Sequence, residues 1–144
     1  MGEQPINDPT LPSVPLWRLY VLRAAYLLMI VGLAVAYLPN LFVHPPKATG
    51  QIPSILAGFW LMAWIGLRYP LQMIPLLLLD FVWKSVWVLA FGLPLWRAGM
   101  LTPDTSESLR ATMLGAVLMP FIIPWGYVRR RYVTARGDRW AAAR

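Results

Sequence analysis

A chain of 144 residues that is 58% hydrophobic and 13% charged holds more apolar residues than the core of a soluble domain this size needs. Its formal charge of +7 comes from basic residues set beside long apolar blocks, which suits an anionic headgroup layer and excludes a separate nucleic-acid-binding domain. With no cysteine there is no disulfide, thiolate metal site or cysteine nucleophile, and one histidine, His44, cannot build a zinc or bis-histidine haem site alone.

Residues 1–15 are polar and proline-rich, with Glu3 and Asp8 and no basic residue. The first apolar run covers residues 16–38, long enough for a membrane span, and stops at Pro39-Asn40. It carries Arg18 and Arg23 near its start and a Gly32/Ala36 pair at small-xxx-small spacing, which permits close helix contact. Ala34-Val35-Ala36 has the form of a signal-peptidase site, and cleavage there would leave three spans. The length of the run and the acidic segment before it favour an uncleaved span. His44, Pro45, Pro46 and Lys47 follow in a loop, where a lone histidine reads as a solvated surface residue.

The second run covers residues 53–69, with Pro53 in the first turn and Pro70 as its stop. The corner Arg68-Tyr69-Pro70 is so short that runs two and three must be antiparallel neighbours. The third run covers residues 71–95 and contains Asp80 and Lys84, one helical turn apart. A charge at mid-bilayer costs about 3 kcal/mol on insertion scales, which marks this pair as a candidate site. Gln72, Leu76, Asp80, Trp83, Lys84, Trp87 and Phe91 follow helical steps and form one stripe, which predicts that the stripe faces the bundle. Trp60 and Trp64 of the second run fall at matching depth, deeper than interfacial anchoring explains. Arg23 lies on the same side and would either approach Asp80 or extend to the cytoplasmic interface, and the second is favoured.

The fourth run covers residues 109–128, with Asp104 and Glu107 at capping-box spacing ahead of it. Pro120 and Pro124 free the carbonyls of Ala116 and Pro120, which must find partners or line a polar cavity. The tail, residues 129–144, holds Arg129, Arg130, Arg131, Arg136, Arg139 and Arg144, while the two outer loops keep only Lys47, Arg97 and Arg110, partly offset by Asp104 and Glu107. The positive-inside rule then puts both termini in the cytoplasm, around one all-α integral-membrane four-helix bundle. The Arg136-Gly137-Asp138 tripeptide falls on that side, which excludes extracellular adhesion.

Three stretches carry a resemblance. These are Gly66-Leu67-Arg68-Tyr69-Pro70-Leu71-Gln72-Met73, Asp80-Phe81-Val82-Trp83-Lys84-Ser85-Val86-Trp87, and Leu93-Pro94-Leu95-Trp96. Over the second and third runs the chain resembles a group of small bacterial inner-membrane proteins of unassigned function. That resemblance implies a multi-pass inner-membrane location and brings no reaction with it. In size the chain is also similar to small multidrug-resistance transporters, but those use a glutamate in the first span, where this chain has Arg18 and Arg23.

The candidate polar site is Asp80, Lys84, Trp83, Trp87, Trp60, Trp64 and Arg23, with no metal and no cofactor expected. The sequence reads as a noncatalytic accessory or small-ligand-binding bundle. Its expected partners are anionic lipid at the basic tail and a second copy or another membrane protein, with no nucleic acid. The alternative is a proton-coupled small-solute carrier or channel acting as an oligomer. No nucleophile with a base or metal cluster supports an enzyme.

Overall fold

The computed structural model describes residues 13–42 and 51–135, and every regular element in them is helical. Helix α1 spans Leu16–Ala36, α2 Gln51–Arg68 and α3 Ile74–Trp87. A π-helical turn, Val88–Gly92, joins α3 to α4, Leu93–Arg97. Helix α5 spans Pro103–Ile122, and α6, Trp125–Val128, continues as a π-helical turn to Thr134. His44, Lys47, Glu3, Asp8 and the tail from Arg136 onward lie outside the described residues.

Prolines set most of the boundaries. Pro15 precedes α1 in an extended conformation, and Pro75 occupies the first turn of α3, where a missing N–H leaves no bond unmade. The third helix therefore starts at Ile74, three residues later than the apolar run at residue 71, because residues 69–73 form the turn around Pro70. Pro94 does not stop the rod. The turn before it widens, Leu93 N–H bonds to Val88 O, and the helix continues to give a 24-residue rod over Ile74–Arg97.

The fourth run is not one straight helix. Ile123, just before Pro124, adopts φ −66° and ψ 125°, the extended region that a following proline enforces. The chain bends by 71° there, so Trp125–Thr134 leaves the direction of α5. The start of α5 also differs from the expected capping box. Thr102 is the N-cap and its hydroxyl accepts from Thr105 N–H at 3.2 Å, while Pro103 fills the first helical position. Asp104 then stands in the first turn, where it favours the positive end of the helix dipole.

Packing is antiparallel. Gly66 of α2 lets the ring of Tyr26 lie directly on the backbone, since a Cβ there would fall inside contact distance of that ring. The Tyr26 hydroxyl donates to Pro70 O at 3.2 Å, tying α1 to the α2–α3 corner. Helix α3 and its extension meet α5 at Gly92 with Leu109 and Lys84 with Gly115, and meet α6 at Phe81 with Trp125. Tyr26, Leu22, Ile74, Leu77 and Ile123 form the fully buried centre.

The outer surface is apolar on all four long helices. Leu28 of α1, Ile55 of α2, Leu79 of α3 and Phe121 of α5 are 67%, 61%, 52% and 79% exposed, the reverse of a water-soluble helix face. Two rods, Leu16–Ala36 and Ile74–Arg97, are long and apolar enough to cross a membrane, and the bent pair Pro103–Ile122 with Trp125–Thr134 is a third if it counts as one span. The 18-residue α2 is not among them.

Candidate functional site

Asp80 is the buried charged residue of the described chain, with 4% exposure. Lys84 Nζ donates to its Oδ2 at 2.6 Å, and Trp83 Nε1 donates to its Oδ1 at 3.1 Å. Both donors come from the same helix, at i+4 and i+3, so each carboxylate oxygen is engaged without help from another element. The ammonium also lies 5.7 Å from the Trp83 ring centroid, close enough for a cation–π attraction. Acid, base and indole thus form a closed unit on one face of α3.

Gly115 of α5 gives that unit its seat. A Cβ built there would stand 3.1, 3.2 and 3.3 Å from Nζ, Cδ and Cε of Lys84, so the lysine stem runs along bare α5 backbone. Ser85, the next residue, donates to Phe81 O at 2.8 Å and so turns back on its own helix. The carbonyl freed by Pro124 is satisfied from within its own segment, since Trp125 Nε1 donates to Pro120 O at 2.7 Å. Trp125 thereby clamps the bend.

The structure gathers only part of the expected stripe. Leu76 and Asp80 are buried, and Trp83, Lys84 and Trp87 are half-buried, but Gln72 lies exposed in the turn and Phe91 is exposed within the π-helical turn. Trp87 packs against Gly92, away from the ion pair. The stripe lies against α5 through Gly115, whereas the Trp60 and Trp64 pair was expected to face it from α2. Trp60 and Trp64 make an edge-to-face contact at 5.9 Å, but Trp64 is 49% exposed and points outward. Trp60 Nε1 is buried without a hydrogen-bond partner.

Arg23 does not join Asp80. Its guanidinium lies over the Tyr20 ring at 5.7 Å, one turn toward the N-terminus, and the Asp80–Lys84 pair is the ion pair found among the described residues. The contact of Tyr26 with Gly66 and Pro70 explains this. It sets Arg23 on the far side of the α2–α3 corner, well away from the level of Asp80.

Gly115, Trp125 and Tyr26 were not singled out by the sequence. Gly115 had a readable signal, a small residue in the fourth run near the level of Lys84. Among the described residues no group of three His, Cys, Asp or Glu side chains could hold a metal ion. The arrangement can hold a charge pair out of solvent. No family model, curated protein or solved structure matches the chain.

Proposed function

We propose that this chain is an integral protein of a bacterial inner membrane, a noncatalytic accessory or small-ligand-binding four-helix bundle whose Asp80–Lys84–Trp83 unit fixes α3 against α5. The observation that carries this reading is the closure of the unit. Both carboxylate oxygens already hold donors, and the lysine is seated on Gly115. A group poised to exchange with a passing solute needs access to it, and this carboxylate is 4% exposed, with a donor from its own helix on each oxygen. The apolar outer surface and the two long rods support the membrane location, and α2 and α5 would complete four crossings with both termini in the cytoplasm. A second copy or another membrane protein would cover part of the exposed apolar faces.

The second reading is a proton-coupled small-solute carrier or channel acting as an oligomer. The observation that favours it is a single buried carboxylate in a rod long enough to cross a bilayer. Asp80→Asn separates the two, because it keeps the shape and removes the proton-accepting capacity. Purified wild type and Asp80→Asn in liposomes should be equally silent when a pH gradient is applied across a panel of small solutes. Gradient-driven uptake by wild type that disappears in Asp80→Asn would establish the carrier instead.

A further inference from the structure

We infer that the bent arm Trp125–Thr134 is an in-plane foot that, with the arginines around it, forms a collar for anionic lipid headgroups. This rests on the membrane reading above and adds to the anionic lipid expected at the tail the residues that would hold it and their arrangement. The 71° bend turns the arm away from the axis of α5, so it runs across the end of the bundle. Its inward side carries buried Val128 and half-buried Tyr127, while Arg129, Arg130 and Arg131 are exposed. Val128 belongs to the same buried cluster as Tyr26, and Tyr127 packs against that cluster together with Leu67 and Leu71, the residues on either side of Arg68-Tyr69-Pro70. The arm is thereby anchored on the side of the core that bears Arg68.

Helix α1 completes the collar. Tyr26 is level with Gly66 and Pro70, so the N-terminal turns of α1 run on toward the end of the bundle that holds the corner, with Leu22 still buried and Leu19 packed on the core. Those turns carry Arg18 and Arg23. Six arginines thus share one end of the bundle, and the described carboxylates are all elsewhere. Asp80 is held by Lys84, and Asp104 and Glu107 stand at the start of α5, on the opposite end with Arg97 and Arg110.

Three of the six guanidinium groups rest on aromatic rings: Arg18 on Trp17 at 5.4 Å, Arg23 on Tyr20 at 5.7 Å and Arg68 on Tyr69 at 5.6 Å. Amphipathic rings settle at headgroup depth, and a guanidinium stacked on one keeps its N–H groups available for phosphate oxygens. A ring of stacked arginines around a flat arm fits a plane of lipid phosphates better than one enclosed anion.

The chain has no cysteine, so one nitroxide label can be placed at Val133 or at Leu28 of the full-length protein in phosphatidylcholine bilayers with or without phosphatidylglycerol. The Val133 label should sit at headgroup depth and become immobilised as phosphatidylglycerol increases. That response should weaken about fivefold for each arginine lost on going to Arg129→Gln/Arg130→Gln/Arg131→Gln. Rising salt should release the wild-type arm in the same way, which keeps the test valid if the triple variant does not fold. The Leu28 label should lie at acyl depth in every sample. A Val133 label that stays in water whatever the lipid, beside a deep Leu28 label, would overturn the collar alone. A Leu28 label in water would overturn the membrane reading itself. Equal immobilisation by free inorganic phosphate would reassign the arginines to a soluble anion and overturn the lipid collar.

Discussion

Lys84 lies flat against α5 because position 115 has no side chain. The pair it makes with Asp80 is mostly buried, with side-chain exposures of 20% and 6%, so removing one partner strands a charge away from solvent. Breaking a buried pair in this way costs about 3–5 kcal/mol, whereas replacing both partners with apolar residues removes the charge together with its penalty. Asp80→Leu and Lys84→Leu should each lower the thermal midpoint and folded yield in detergent, and the double variant should recover most of the loss. Additive losses in the double variant would show that the two side chains act independently. The i, i+4 spacing made this pair legible from the sequence. The role of Trp83 as the second donor to Asp80 was legible only as membership of the same stripe, because direction around a helix says nothing about which atoms meet.

At the scale of elements, the bend between α5 and α6 has a local cause and a testable length. Pro124 removes the N–H that would reach Pro120 O, Trp125 Nε1 takes that carbonyl, and Ile123 is driven into the extended region. Spin labels on cysteines at Thr105 and Val133 should be about 35 Å apart across a 71° bend, against about 42 Å along one unbroken helix, at 1.5 Å per residue. Pro124→Ala should move the measured distance toward the longer value. No change in distance would mean that packing of Val128 in the core, and not the proline, holds the bend. The two prolines were visible in the sequence, but a kink and a break have the same sequence signature. Pro94 makes the contrast plain, since there a π-helical turn absorbs the missing bond and the rod continues to Arg97.

At the scale of the whole molecule, the proposed orientation follows from six described arginines at one end of the bundle against Arg97 and Arg110 at the other. A cysteine at Ser106 should react with an impermeant maleimide in intact cells, and one at Thr134 only after permeabilisation. Labelling of Thr134 in intact cells would invert the topology. The sequence by itself determined the helical class, the positions of the long apolar runs and the neighbouring acid and base, because these depend on composition, proline placement and spacing within one helix. Only the tertiary structure decided what faces what. It seated Lys84 on Gly115, turned Trp64 outward, and set Arg23 beyond the α2–α3 corner by packing Tyr26 onto Gly66. It also turned the end of the fourth run across the bundle. Depth counted along a single run assumes that every helix starts at the same level, and the offset between α1 and α2 is set by side-chain contacts between helices that no one run contains.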